Sequence, residues 1–348
     1  MSQADPPGLD LGRLRAHLDQ HLPGLAGGTL RADVVEGGKS NLTYIVHDGT
    51  STWVVRRPPL GHVLPTAHDM VREFRVISGL HPTRVPVPQP LLLCEDKDVL
   101  GAPFYVMEFV TGTPFRTAEE LIGLGEQRTA AIADSLVDTL VELHAVDPAS
   151  VGLGDFGRPE GFLDRQMRRW KKQLDSSRSR DLPGIEELHD RLASSVPISA
   201  EPTIIHGDYR LDNVLVDSSD KITAVLDWEM STLGDPLTDL ALLVAYAERG
   251  AVDLQFVSSA TTAPGYPTAD QVVARYAERS GRDVSALNWY VGFAFFKLAV
   301  ILEGIYFRYS KGQTVGSGFE GVGPGVAHLV THGNAILKDT AHLNVEEK

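Results

Sequence analysis

Hydrophobic and polar residues alternate in short segments along the first third of the chain. The alternation covers 29–36, Leu42–His47 and Thr52–Arg57, and clusters of Gly, Asn, Asp and Ser separate these segments. A period of two indicates strands with one buried face, and the separating clusters are typical of turns. The pattern predicts an antiparallel meander.

A helical pattern follows the meander. It predicts a helix from near Thr66, whose hydroxyl can act as the N-cap, to about Leu80, with Asp69 in place of the Glu of a capping box. Two more apolar runs, 90–95 and 103–110, then complete a sheet of roughly five strands, which is a usual size.

Beyond the sheet the hydrophobic period changes to that of a helix. Ile132, Leu136 and Leu140 repeat at helical spacing, and helix-like stretches dominate the remainder. The chain is therefore predicted to be α+β and bilobal, with a β-rich small lobe over 1–110 and a mostly helical large lobe over 111–348.

Composition narrows the class of protein. The chain has 348 residues, of which 43% are hydrophobic and 22% charged, and Cys94 is its single cysteine. This composition is ordinary for a globular protein, excludes an intramolecular disulfide framework and fits a reducing cytoplasm. The longest apolar segment, 289–307, contains Lys297, Glu303 and Gly304, so we expect a buried helix and no membrane span.

The net charge of the chain limits which kinds of molecule it is expected to bind. The formal charge is −14, which argues against binding to nucleic acid or to an anionic membrane surface. It is compatible with a cationic substrate, or it reflects solubility alone. The sequence does not predict the oligomeric state.

The main candidate chemistry lies in IIHGDYRLDNVLVD, residues 204–217, where aliphatic runs bracket a polar loop. Asp208 and Asn213 are five residues apart, and Asp227 follows fourteen residues after Asn213, beyond another β-like run. Carboxylate and amide oxygens are hard ligands that suit Mg²⁺. Phosphoryl transfer needs such a set, with one Asp to accept the proton of the acceptor hydroxyl and an Asn and a second Asp to bind metal.

The spacing matches the protein-kinase pattern H-R-D-x-x-x-x-N followed by an Asp. Here HGDYRLDN stands for the first part and DWE for D-F-G. This variant resembles the aminoglycoside phosphotransferase and choline kinase family, and LDWEMSTLGDPLTDLA is most similar to the phosphotransferase domain fused to some acyl-CoA dehydrogenases. The resemblance covers roughly residues 30–310. It implies a protein-kinase-like fold that uses ATP and Mg²⁺, with Asp208 as the catalytic base and Asn213 and Asp227 as metal ligands.

The resemblance also implies a nucleotide site. The GGKSN segment lies where a phosphate-covering loop would be, Arg56 takes the position of the usual nucleotide-binding Lys, Glu73 orients Arg56, and the hinge near 108–114 offers backbone hydrogen bonds to adenine. The implied nucleotide-binding residues are Gly37, Gly38, Ser40, Asn41, Arg56, Glu73, Glu108 and Val110. Side-chain alternation assigns Arg56 to the same face as Val54, and this alternation alone distinguishes it from Arg57.

Other residues near the motif have structural interpretations. We expect His206 to be buried and hydrogen-bonded to backbone carbonyls, and Gly207 to allow close approach of the backbone. Asp235 and Asp239 either cap the next helix or hold the catalytic loop through its backbone amides. Arg210 and Asp212 are either part of the site or simply solvated.

The acceptor is the least determined part of the function. Only seven residues separate Asp227 from Asp235, which leaves little room for an activation segment that docks peptides, so we expect a small-molecule hydroxyl acceptor. The resemblance favours a hydroxyacyl compound or its CoA thioester over an aminoglycoside. The aromatic residues of 289–307 line either the core or the acceptor pocket. A pseudokinase that senses nucleotide or binds a partner is the alternative, suggested by Arg56 in place of Lys.

Overall fold

The computed structural model describes residues 5–35, 41–61, 68–248, 258–312 and 321–343. An antiparallel sheet dominates the first part of the chain and helices dominate the second. The strands are β1 Arg31–Val34, β2 Leu42–His47, β3 Thr52–Arg57, β4 Pro90–Cys94, β5 Phe104–Glu108, β6 Thr203–Ile205, β7 Val214–Val216, β8 Ile222–Val225 and β9 Thr232–Gly234. The helices are α1 Leu11–His21, α2 Met70–Leu80, α3 Lys97–Leu100, α4 Ala118–Ile122, α5 Glu126–His144, α6 Phe162–Ser177, α7 Ile185–Ser194, α8 Leu237–Glu248, α9 Ala269–Ser280, α10 Leu287–Ser310 and α11 Val322–Leu343.

The small lobe is a five-stranded antiparallel sheet with the order β1-β2-β3-β5-β4. One face covers a core made with α1, where Leu14 and Leu18 pack with Tyr44 and Phe104. The other face packs on α2. The predicted meander is therefore present, although its first strand is shorter than 29–36.

Helix α2 begins later than predicted. Its N-cap is Asp69, whose side chain accepts a hydrogen bond from the backbone amide of Arg72 at 3.1 Å. An N-cap carboxylate satisfies one of the otherwise unpaired amides of the first turn and favours the helix dipole. Thr66, the predicted cap, lies outside the described residues.

Two arginines of α2 join the helix to the large lobe. Arg72 Nη2 donates to the carbonyl oxygens of Phe156 at 2.9 Å and Ser231 at 3.3 Å, and its guanidinium lies over the Phe156 ring. Arg75 Nη2 donates to the carbonyl of Gly152 at 2.8 Å. Helix α2 thus contacts the sheet on one side and the large lobe on the other.

The large lobe positions short strands on a helical base. β7 and β8 form a hairpin, and β6 pairs with β9, so the segment between Asp227 and Asp235 folds into one 3₁₀ turn and one strand. Helix α10 runs beneath them. Within the described residues it is the one helix long and apolar enough to span a membrane, and 72% of its most apolar window is buried inside the protein. This burial is what the sequence predicted for 289–307.

Candidate active site

The polar loop between β6 and β7 is held by its backbone. Gly207 has φ +85°, and a Cβ at this position would lie 2.7 Å from the carbonyl oxygen of Met230, so both conformation and space require glycine. His206 is fully buried, and its Nε2–H donates to the carbonyl of Leu226 at 2.9 Å. Its Nδ1 accepts from the amide of Asp208 at 3.3 Å.

Asp239 supports this loop from below. Its carboxylate accepts hydrogen bonds from the amides of His206 at 2.6 Å and Gly207 at 2.8 Å. Burial alone would raise the pKa of Asp239, but its interaction with His144 and the loop amides lowers it overall. Asp235 instead caps α8 by accepting from the amide of Leu237 at 3.0 Å. Each of the two predicted structural roles therefore belongs to one of these residues.

Asp208 presents its carboxylate above the loop. One oxygen accepts from the Tyr246 hydroxyl at 3.1 Å, and the other accepts from Asn213 Nδ2 at 3.1 Å and lies 3.4 Å from Arg210 Nε. The side chain is 32% exposed. Three neighbours thus fix the carboxylate while solvent and small molecules can reach it.

Asn213 and Asp227 lie at the two ends of the β7–β8 hairpin. Asn213 Nδ2 also donates to the Asp208 carbonyl at 2.9 Å, which leaves its amide oxygen as the atom for a ligand. Asp227 adopts the left-handed conformation with φ +67°, which Asp tolerates better than most residues. Among the described residues no group of three or more His, Cys, Asp and Glu forms a metal cluster. Two hard oxygen donors nevertheless fit Mg²⁺, which takes its other ligands from phosphates and water.

Arg56 joins the two lobes by contacting two carboxylates. Its Nε lies 2.8 Å from Glu73 Oε2, and its Nη2 contacts Asp227 Oδ1. Glu73 is buried and also accepts from the Tyr105 hydroxyl at 3.1 Å. Burial raises the pKa of Glu73 to about 7, although Arg56 acts in the opposite direction. The predicted pairing of Arg56 with Glu73 is present in the structure.

Arg57 faces the opposite side of β3. Its Nη1 donates to the carbonyl oxygen of Leu100 at 2.8 Å and to that of Gly8. This contact lies in the core between the sheet and the N-terminal segment. The alternation used in the sequence therefore assigned the two arginines to the correct faces.

The remaining predicted nucleotide-site residues differ in what the structure shows. Asn41 is buried, and its Nδ2 donates to Glu73 Oε1 at 2.9 Å and Glu229 Oε2 at 3.2 Å, so its side chain supports Glu73 instead of projecting from a phosphate loop. Glu108 lies at the end of β5, and its amide donates to the carbonyl of Gln89 at 2.9 Å, so adenine would have to use its carbonyl.

For the other predicted nucleotide-site residues the structure shows, within its described part, no contact that bears on nucleotide binding. Val110 follows β5 and is half-buried. Gly37, Gly38 and Ser40 lie outside the described residues. Their roles toward a nucleotide stay predictions from the resemblance.

A cavity of about 630 Å³ opens beside the catalytic loop at Gly207. Its apolar floor is formed by residues of β6, α6, α8 and α10, including Ile205, Trp170 and Phe293. Five basic side chains line it, and none of them forms an ion pair with a carboxylate among the described residues: Arg72, Arg158, Arg165, Arg169 and Lys297. Three acidic residues also line it, and each already accepts hydrogen bonds from the protein: Asp69, Glu229 and Asp239.

The aromatic residues of α10 divide between core and cavity. Phe293 lines the cavity, whereas Trp289 donates through its indole to the Leu192 carbonyl at 3.0 Å within the core. Tyr290 and Phe296 are also buried. Most of this stripe is therefore core packing.

Comparison with known proteins places this geometry in a family. The model of the phosphotransferase enzyme family matches residues 31–275. The chain belongs to the phosphotransferase enzyme family. Rat acyl-CoA dehydrogenase family member 11 is 37% identical to this chain over 313 residues, which is 87% of this chain and 40% of that protein. The chain thus spans less than half the length of this curated relative.

Solved structures agree with the fold. A Ralstonia eutropha protein, provisionally assigned as an aminoglycoside phosphotransferase, is 32% identical, has a TM-score of 0.81 and is matched over 95% of this chain and 98% of its own. Choline kinase from Cryptosporidium parvum is 14% identical, with a TM-score of 0.66 over 97% and 98% of the two chains, and shows the fold alone. The predicted family and the bilobal, kinase-like α+β fold of the chain are confirmed.

Several contacts of the chain were not predicted from its sequence. Tyr246 at Asp208 and Lys297 at Gly207 come from helices far along the chain, and no local pattern marks them. The cavity arginines of α6 do carry a signal, since FLDRQMRRWKKQ is the most basic helix segment of an acidic protein. Read as an amphipathic face, it could have indicated an anionic ligand.

Proposed function

We propose that the protein is an ATP- and Mg²⁺-dependent kinase that phosphorylates a hydroxyl group of a small anionic acceptor, a hydroxyacyl compound or its CoA thioester. The observation that carries the reaction type is that Asp208 bonds Asn213, while Asp227, at the other end of the same hairpin, contacts the Arg56–Glu73 pair of the small lobe. This combination of an oxygen base, oxygen ligands and a guanidinium is what phosphoryl transfer requires.

Each group has a defined role in this proposal. Arg56 binds phosphate oxygens, and Asn213 and Asp227 hold the metal, which neutralises charge on the phosphates. The acceptor oxygen attacks the γ-phosphorus while the bond from phosphorus to the ADP oxygen breaks. Asp208 accepts the proton of the acceptor hydroxyl, assisted by the hydrogen bonds from Tyr246 and Asn213 that fix its carboxylate.

The charge of the cavity supports the proposed acceptor class. Five basic side chains without carboxylate partners, against three acidic side chains already bonded, give the cavity an excess of positive charge. A cationic aminoglycoside would be repelled there, whereas a carboxylate or the phosphates of CoA would be attracted. The overall charge of −14 therefore does not describe the acceptor side.

The first experiment is calorimetric titration of ATP with and without Mg²⁺ on the wild type and Asp227→Ala. We expect Mg²⁺-dependent binding that is lost in the variant, because Asp227 supplies a metal oxygen. Binding should be retained in Asp217→Ala, which changes an aspartate in the hairpin turn between β7 and β8. Phosphorylation assays would then compare hydroxyacyl-CoA thioesters, free hydroxy acids and kanamycin.

A pseudokinase that senses nucleotide or binds a partner is the second candidate. Arg56 replaces the usual Lys and contacts Asp227, so the phosphate-binding cation is paired with a metal carboxylate. Absence of nucleotide binding with or without Mg²⁺ would favour the partner-binding form of this alternative. Turnover of kanamycin above that of every hydroxyacyl compound would instead overturn the proposed acceptor class.

A further inference from the structure

Lys297 is a cation on the floor of the cavity, one peptide away from the proposed base. It projects from the middle of α10, and its Nζ donates to the carbonyl oxygen of Gly207 at 2.9 Å. The Trp170 ring centroid lies 5.7 Å from Nζ. Lys297 therefore occupies an apolar part of the cavity, in contrast to the exposed Arg158 and Arg169.

The ammonium has little compensation from the protein. Among the described residues Lys297 forms no ion pair with a carboxylate, and burial lowers its pKa even though Asp208 and Asp239 act to raise it. An ammonium carries three N–H donors, and the Gly207 carbonyl uses one of them. Charges removed from water are costly unless paired or hydrogen-bonded. Lys297 is half-buried, and the Gly207 carbonyl is the one oxygen that it bonds within the described residues, so its other donors are available to an oxygen of a ligand.

The contact with Gly207 defines where that oxygen must be. Asp239 accepts from the Gly207 amide and Lys297 donates to the Gly207 carbonyl, so Gly207, the residue before Asp208, is held on both sides. Gly207 and Lys297 line the cavity, and Asp208 is the next residue after Gly207 without lining it. An acceptor whose hydroxyl lies at Asp208 and whose body occupies the cavity would therefore extend past Lys297. A second oxygen, a few bonds from the reacting hydroxyl, would then meet the ammonium.

We propose that Lys297 is a specificity-determining residue that donates hydrogen bonds to an acyl oxygen of the acceptor while Asp208 receives the reacting hydroxyl. This inference rests on the proposed function and deepens it. The acyl oxygen is either the carbonyl of a thioester or one oxygen of a free carboxylate. In both cases Lys297 selects acceptors by the distance between their acyl oxygen and their hydroxyl. The arginines at the mouth of the cavity bind the more distant anionic groups.

The test uses acceptors that differ by one oxygen. Hydroxyacyl-CoA thioesters with the hydroxyl at carbon 2, 3, 4 or 5 would be compared with the matching hydroxyalkyl-CoA thioethers, which lack only the carbonyl oxygen. The free hydroxy acids form a separate arm that distinguishes carboxylate from thioester. We expect wild-type kcat/KM to favour the acyl compound roughly ten- to a hundredfold, the effect of hydrogen bonds to a charged group, and this preference to disappear in Lys297→Met.

Two further variants keep the test decisive. Lys171→Met changes a lysine of α6 that is ion-paired with Asp175 outside the cavity, and it should retain the full preference. Lys297→Arg, which keeps the charge, should restore part of the preference and serves if Lys297→Met does not fold.

The outcomes separate this inference from the proposed function. A preference retained in Lys297→Met, or equal losses for thioester and thioether, would show that Lys297 only supports Gly207, while the kinase assignment would stand. Equal use of both compounds by the wild type would overturn the inference in the same way. A wild type that binds MgATP but phosphorylates no member of either arm would reject the hydroxyacyl acceptor itself, and the role of Lys297 with it.

Discussion

The two sides of the cleft treat charge in opposite ways. On the nucleotide side, Arg56 is paired with Glu73 and Asp227, so cation and carboxylates neutralise one another within the protein. On the acceptor side, basic side chains such as Arg169 and Lys297 line a cavity without carboxylate partners among the described residues. The charges of the nucleotide side are thus paired within the protein, whereas the basic side chains of the acceptor side can pair with anionic groups of a ligand.

This difference has a physical consequence for specificity. Charges already paired in the protein are held in position before a ligand binds, which favours geometry over raw attraction. Charges without partners instead attract ligands of opposite sign and exclude those of like sign. We therefore expect the acceptor side to discriminate mainly by charge and the nucleotide side mainly by position.

The largest effect is expected where the two sides meet. Asp208→Asn should lower kcat for phosphorylation of a hydroxyacyl-CoA by about 10²- to 10⁴-fold, because the acceptor proton loses its base, while MgATP affinity changes little. Steady-state kinetics and calorimetry check this. Asp164→Asn, on an exposed acid of α6, is the control. Turnover of Asp208→Asn within a few-fold of wild type would remove Asp208 from the mechanism.

The paired charges of the nucleotide side can be broken by Arg56→Ala. The change leaves Glu73 buried without its cation, so we expect a loss of about 3 kcal/mol in the free energy of unfolding, as for other broken buried pairs, together with weaker MgATP binding. Urea unfolding and calorimetry measure the two effects. Arg57→Ala should also destabilise, since Arg57 bonds carbonyls in the core, but should keep nucleotide affinity. Equal nucleotide affinities in both variants would contradict the assignment of Arg56.

Glu73 provides a pH test of the same side. Burial raises its pKa to about 7 from an ordinary value of 4.5, so the unfolded chain releases this proton at lower pH than the folded protein. Stability of the wild type relative to Glu73→Gln should therefore fall as pH rises from about 4.5 to about 7, by an amount on the order of 1 to 3 kcal/mol. Urea titrations across this range measure the difference. Parallel pH curves for the two proteins would show that the pKa of Glu73 is not raised.

The smallest expected effect concerns the mouth of the cavity. Arg169→Glu should raise KM for a hydroxyacyl-CoA roughly tenfold at low salt and less at high salt, because it reverses one exposed charge. Arg168→Glu makes the same change on the preceding residue, which is also exposed but does not line the cavity. Similar KM values for the two variants would mean that net charge, not the cavity, controls acceptor binding.

Local patterns account for what the sequence predicted well. The strands β2 and β3, the proximity of Asp208 to Asn213 and the opposite orientations of Arg56 and Arg57 follow from alternation and spacing within short segments. The start of α2 was predicted too early, since Asp69, and not the expected Thr66, serves as its N-cap. Competing caps a few residues apart cannot be distinguished by pattern alone.

The acceptor side could not be predicted in the same way. Its charges come from α2, the segment before α6, α6 itself and α10, and only the tertiary fold brings them together. The negative net charge was compatible with a cationic substrate, yet the cavity has an excess of positive charge. A whole-chain sum does not locate a patch. The hydrogen bond from Tyr246 to Asp208 could not be predicted for the same reason, because Tyr246 belongs to a helix that begins well after the motif.

Helix α2 carries Glu73 on one face and, through Arg72 and Arg75, is anchored to the large lobe on another. Protein kinases control activity by moving the corresponding helix so that its Glu engages or leaves the phosphate-binding residue. Here such a movement would first have to break several hydrogen bonds between the lobes. We therefore expect displacement of α2 to require the loss of these bonds as well as that of the contact between Glu73 and Arg56.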